Sequence, residues 1–209
     1  MTRRLRQKTR YSEIVRGRML IVFGGLPGTG KTTLSRLLAR RRPAAYLRID
    51  AIEQALRSAC VLSGDVGKAG YAIGNALAAS NLVNGQTVIV DCVNPVSESR
   101  RAWQATAARA GNPLVEIEIV CSDRAEHRRR VEERTADIDG LKLPTWQSVL
   151  DFDYAPWSEP HVVIDSARMT TDKALAAIEQ HLHDKIAASL SKALPDAAKG
   201  IVQAGGARL

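Results

Sequence analysis

The apolar run Met19–Phe23 leads straight into Gly24-Gly-Leu-Pro-Gly-Thr-Gly-Lys-Thr-Thr33, and Leu34, Leu37 and Leu38 follow at helical spacing. A buried strand, a glycine bend and a leucine-faced helix in immediate succession leave few folds open. The bend satisfies Gly25-x-x-x-x-Gly30-Lys31-Thr32, the phosphate-binding loop pattern, which arises by accident about once in a hundred chains of this length. Glycines let the backbone turn successive N–H groups inward, so Gly25, Leu26, Pro27, Gly28, Thr29 and Gly30 are expected to form a concave nest of donors at a positive helix end. Such a nest suits the β-phosphate of a nucleotide. Lys31 adds a mobile charge for the β- and γ-phosphates, the Thr32 hydroxyl is placed for Mg²⁺, and Thr33 is placed for the α-phosphate. ATP and Mg²⁺ are therefore the expected cofactors.

Short apolar segments alternate with helical patterns along the rest of the chain. Residues 19–23, 45–49, 87–91, 114–120 and 161–165 read as strands, which predicts an α/β fold on a parallel sheet. Asp50 and Glu53 read as a capping box opening the second helix. Residues 66–83 and about 97–110 read as helices, stopped by Asn84-Gly85 and Gly111-Asn-Pro113. Glu116 and Glu118 alternate with Val115, Ile117 and Ile119, which predicts a fourth strand with one less covered face. Leu175, Ile178, Leu182, Ile186 and Leu190 mark a last amphipathic helix, and the segment beyond Pro195 is expected to fray.

Composition narrows the setting. With 209 residues, 45% hydrophobic and 25% charged, the chain can build one substantial core. It carries no apolar stretch of membrane-spanning length and no apolar secretion signal, so a cytoplasmic location is expected and no membrane partner is. The net charge of +8 is concentrated at the start: residues 1–18 hold seven basic side chains against Glu13. Residues 1–17 are therefore read as a basic, flexible arm, a solvated segment in preference to a nucleic-acid contact. Cys60, Cys92 and Cys121 form no C-x-x-C pair, which argues against a disulfide framework or a zinc site. His181 and His183 lie two apart on a helix and point in different directions.

Two carboxylates and two arginines are the candidates for chemistry. Asp50 closes the second strand, Tyr46-Leu-Arg-Ile-Asp50, 19 residues after Lys31. In a parallel sheet the carboxyl ends of strands lie together, so Asp50 is expected to face the γ-phosphate and take the proton of an attacking hydroxyl. Asp91 ends the third strand, where a Walker-B-type acid holds metal together with Thr32. The segment Asp123–Arg134 reads as a helix with Glu126–Arg130 and Arg129–Glu133 pairs, yet Arg130 and Arg134 are like charges at the same spacing, a clamp for a polyphosphate. Trp146, Phe152, Tyr154 and Trp157 read as packing residues rather than ligand contacts. Ser166 and Ala167, after the fifth strand, sit where an adenine would rest.

This order of features, over roughly residues 18–190, resembles the small P-loop kinases of the adenylate-kinase-like group, which include shikimate, gluconate and adenylylsulfate kinases, chloramphenicol phosphotransferase and the zeta toxins. Gly25–Thr33, Ile49-Asp50 and Asp91-Cys-Val-Asn-Pro95 with Arg100-Arg101-Ala-Trp103 are most similar to the predicted-kinase branch and to polynucleotide 5′-kinase domains. The resemblance implies a three-layer P-loop NTPase fold with a five-stranded parallel sheet in the order 2-3-1-4-5. It also implies a short helical lid at about 124–145 and a C-terminal tail from 191. It casts Lys31, Asp50, Arg130 and Arg134 as catalytic, and Asp50 as the base. Polynucleotide kinases place an arginine three residues after that aspartate; Glu53 stands there in this chain and the nearest arginine is Arg57. The expected activity is transfer of the γ-phosphate of ATP to a hydroxyl of a small molecule. A polynucleotide 5′-hydroxyl acceptor and an ATP-binding regulatory NTPase without an acceptor are the alternatives. Residues in 57–75 and 135–157 are expected to choose the acceptor.

Overall fold

A computed structural model of the chain describes residues 17–60 and 66–205, with side chains through residue 189. The expected basic arm, apart from Gly17, lies outside the described residues. The elements are β1 (Leu20–Gly24), α1 (Lys31–Arg41), β2 (Ala44–Arg48), α2 (Ile49–Ser58), α3 (Ala69–Val83), β3 (Thr87–Asp91), α4 (Ser97–Ala110), β4 (Leu114–Val120), α5 (Arg124–Glu133), α6 (Trp146–Leu150), β5 (Val162–Asp165) and α7 (Thr171–Gly205). The five strands pair in parallel in the order β2-β3-β1-β4-β5, as the resemblance implied.

The apolar run of β1 is explained by burial on both faces. Alternate residues point to opposite sides, so Met19, Ile21 and Phe23 pack with Leu34 and Leu38 of α1 and with Leu175, Ile178 and Leu182 of α7. Leu20 and Val22 pack on the other side with Ala78 and Leu82 of α3 and Trp103 and Ala107 of α4. Trp103 is fully buried between these layers. Packing on this side leaves no room at Gly74, where an added Cβ would stand 2.5 Å from Ile49 Cδ1.

The Glu116 face of β4 is the less covered one, as the alternation predicts, since Leu114, Glu118 and Val120 on it are only partly buried while Val115, Ile117 and Ile119 opposite are buried. Glu116 itself is nevertheless 7% exposed, accepts from Gln104 Nε2 of α4 at 3.1 Å, and burial pushes its carboxyl above the usual carboxylate range. Glu118 is likewise engaged, accepting from Tyr154 Oη at 2.9 Å and contacting His161 Nε2 at 3.2 Å. The polar face of the strand is roofed by a polar layer. The last helix, α7, continues through Pro195 to Gly205, over the segment expected to fray. No helix among the described residues is long and apolar enough to cross a membrane.

Candidate functional site

The glycine bend adopts the backbone that its composition calls for. Gly25, Gly28 and Gly30 have φ of 127°, 85° and 98°. A Cβ at Gly25 would stand 2.2 Å from the Ile119 carbonyl oxygen, and one at Gly28 would stand 2.5 Å from Val131 Cγ2. Gly30 is the N-cap of α1, and no side chain caps that helix end, so its first-turn amides carry the positive end of the dipole without an internal acceptor from a capping side chain. Lys31 folds back over the bend and donates from Nζ to the Leu26 carbonyl at 2.9 Å, an acceptor that Thr29 Oγ1 shares at the same distance. Burial lowers the Lys31 pKa, opposed by the nearby carboxylates of Asp91 and Asp50.

Asp50 is not the strand-end residue or helix cap that the sequence predicts. The strand β2 stops at Arg48, which pairs in register with Asp91, and Arg48 holds the N-cap position with extended dihedrals. The chain therefore enters α2 two residues early and Asp50 sits in its first turn, where a carboxylate complements the dipole without capping a backbone amide. Its side chain remains 41% exposed on the cleft. Asp91 ends β3 as expected and is 3% exposed. Its Oδ2 accepts from Tyr46 Oη at 2.9 Å, and Tyr46 Oη lies 3.4 Å from Ser35 Oγ.

The lid arginines behave differently from one another. Arg130 of α5 is occupied within the protein: Nε donates to Glu126 Oε1 at 2.7 Å, and the two terminal nitrogens donate to Ser166 Oγ at 2.8 Å and Ser166 O at 3.2 Å. Ser166, read as a neighbour of adenine, is thereby engaged by the lid helix. The expected Arg129–Glu133 pair also forms. Arg134 closes α5 and makes no hydrogen bond or ion pair among the described residues, while its charge acts on Lys31. His127, which sequence reasoning missed, is 7% exposed and joins the lid helix to the bend through Nε2 and the Pro27 carbonyl at 2.8 Å, with its ring in a T-shaped contact with Trp146.

The aromatics after the lid divide as well. Trp157 donates from Nε1 to Tyr154 Oη at 2.8 Å and lies under the Arg100 guanidinium, 4.1 Å from ring centroid to Cζ. Phe152, 38% exposed, lines the cleft instead.

A single cleft of about 1180 Å³ gathers Pro27, Gly28, Gly30, Lys31, Thr32 and Thr33 with Asp50, Asp91, Arg130 and Arg134. Gly25, Leu26 and Thr29 form the bend behind that lining. Arg48, Arg36 and Asp137 line the same cleft and were absent from the sequence-derived set. Arg48 carried a signal: it is the one charged residue within the strand segment Tyr46–Ile49. Among the described residues no group of three or more His, Cys, Asp or Glu forms a metal cage. Thr32 and Asp91 both line the cleft, and a hydroxyl and a carboxylate suit Mg²⁺, a hard cation that takes one or two protein oxygens and completes its shell with phosphate and water.

A family model described as an AAA domain, AAA_33, matches residues 20–150. No curated protein matches the sequence significantly. Among solved structures, a provisionally assigned kinase of Chloroflexus aurantiacus is 23% identical with a TM-score of 0.62, covering 80% of this chain and 97% of its own. The APS kinase CysC of Mycobacterium tuberculosis, bound to AMPPNP and APS, is 21% identical with a TM-score of 0.58, covering 80% and 98%. Kti12 of Chaetomium thermophilum, bound to ADP-AlF3, is 22% identical with a TM-score of 0.57, covering 80% and 98%. These likenesses establish a P-loop kinase-like fold.

Proposed function

The chain belongs to the AAA_33 family of AAA domains, and from that premise we propose that it is an ATP-dependent phosphotransferase acting on a hydroxyl of a small molecule. The observation that carries the reading is the convergence of Lys31, Thr32, Asp50, Asp91 and Arg134 on one cleft beside the positive-φ glycine bend. In this reading the bend amides and Lys31 bind the triphosphate, and Thr32 and Asp91 would hold Mg²⁺, which when bound would neutralise charge on the phosphate oxygens. Asp50 accepts the proton of the acceptor hydroxyl as its oxygen bonds to the γ-phosphorus, while the bond to the β-phosphate oxygen breaks and ADP leaves. Arg134, with its guanidinium uncommitted, stabilises charge on the transferring group, and Arg130 orders the lid behind it.

The test is ADP release with ATP·Mg²⁺ and a panel of hydroxylated metabolites, antibiotics and oligonucleotides. Asp50→Asn should bind ATP within about threefold of wild type yet lose about 10²–10⁴ in turnover, whereas Lys31→Ala should lose both. Equal turnover in Asp50→Asn removes the base assignment. The second reading, an ATP-binding regulatory NTPase without an acceptor, uses the same cleft for the nucleotide; ATP hydrolysis that no member of the panel stimulates would favour it. Salt-dependent oligonucleotide binding lost on deleting residues 1–17 would instead favour a polynucleotide acceptor.

A further inference from the structure

One buried guanidinium touches three carboxylates to which the proposed mechanism and the lid assign separate places. Arg48, whose side chain is 4% exposed, donates from Nη1 to Asp137 Oδ2 at 2.8 Å. Its Nη2 lies 3.5 Å from Asp50 Oδ2, and its Nε lies 3.7 Å from Asp91 Oδ2. The Nε–H is buried without a hydrogen-bond partner. Arg36 of α1 reaches the same Asp137 oxygen at 2.7 Å. Asp137 belongs to the irregular stretch between α5 and α6, and that stretch has few backbone anchors: the Leu141 amide donates only to Ile138 within it.

We propose that Arg48 is the positioning residue of the phosphotransfer site, fixing Asp50 and Asp91 relative to each other and docking the lid loop through Asp137. The inference rests on the functional reading above. Its physical basis is the planar fork. A guanidinium presents donors in three directions at once, and the β2–α2 junction aims them at the first turn of α2, the end of β3 and the lid; an ammonium has one point of charge and cannot hold three partners apart. Most buried donors in folded proteins are hydrogen-bonded, and the Arg48 Nε–H, 3.7 Å from Asp91 Oδ2 without a hydrogen bond to it, is left able to engage that carboxylate. Arg36 strengthens the lid contact alone, since Asp137 is the carboxylate it shares with Arg48.

The experiment reads acceptor-free ATP hydrolysis, with water in the acceptor's place, so it does not depend on identifying the acceptor. Arg48→Lys should keep its melting temperature and its KM for ATP near wild type while kcat falls about 100-fold, the scale of a small misplacement of reacting groups. Guanidinium chloride at millimolar concentration should restore part of the kcat of Arg48→Ala without moving its melting temperature. Trypsin cleavage after Lys142 reads lid docking without catalysis. It should accelerate in Asp137→Asn and, because Arg36 still holds Asp137, to a smaller extent in Arg48→Lys, and the double variant should be cleaved no faster than Asp137→Asn. A kcat that simply follows melting temperature, with no rescue, would overturn the positioning role. A tryptic rate unchanged in Asp137→Asn would overturn the docking role. Absence of phosphorylated product from every acceptor, with normal hydrolysis and these Arg48 effects intact, would instead reject the acceptor reading and leave the positioning role standing.

Discussion

Tyr46 shows how a single side chain prepares the acid at the strand ends. Its hydroxyl donates to Asp91 and sits half-buried beside Ser35, and burial together with the Asp91 charge pushes its pKa up to about 12. The folded protein therefore keeps a proton that the unfolded chain releases near pH 10, the ordinary value for tyrosine. Stabilisation by this group is complete below pH 10 and is lost as pH rises from about 10 to about 12. Tyr46→Phe should accordingly melt below wild type at neutral pH, and the gap should narrow across that alkaline window. Thermal melts of both proteins at stepped pH check this; a gap that stays constant to pH 12 would show that the Tyr46 proton is not held by the fold. Asp137 works with the opposite sign: the hydrogen bond from Arg48 draws its carboxyl down to about 2, so the lid contact persists to strongly acidic pH.

At the scale of elements, α4 is fastened by a residue that reads from sequence as part of a kinase motif. Arg100, 5% exposed, donates to the carbonyls of Asn94, Pro95, Ala155 and Pro156 and lies on the Trp157 ring. It thus ties the turn after β3, where Asn94 is held at a φ of 52°, to the segment that leads from α6 to β5. Arg100→Ala would strand several buried acceptors at once, and a loss of about 3 kcal/mol or more in unfolding free energy is expected. Chemical denaturation measures it; a loss under 1 kcal/mol would mean that water replaces the guanidinium without cost. Because Arg100 does not line the cleft, the variant's KM for ATP should stay near wild type at temperatures where it remains folded.

For the whole molecule, nucleotide binding and stability are linked. A ligand that binds only the folded state at one hundred times its Kd stabilises by about 2.7 kcal/mol, which for a domain of this size raises the melting temperature by roughly 5–10 °C. ATP·Mg²⁺ should produce that shift in wild type and none in Lys31→Ala; equal shifts in both proteins would place the nucleotide elsewhere. The strand order came with the family resemblance, whereas the five strands to within a residue or two at each end, the glycine bend and the gathering of Lys31, Thr32, Asp50 and Asp91 at one cleft were legible in the residues themselves. They depend on local rules: two-sided burial demands unbroken apolar runs, positive φ demands glycine, and parallel strands bring their carboxyl ends together. Tertiary structure alone decided that Glu116 would be covered, that Arg130 would be spent on Glu126 and Ser166 while Arg134 stayed uncommitted, and that Arg48 would meet Asp50, Asp91 and Asp137. Arg48 and Asp137 lie 89 positions apart. Periodicity and motif spacing record which face or turn a residue occupies, but a contact across that separation exists only once the sheet is assembled and the lid lies over it.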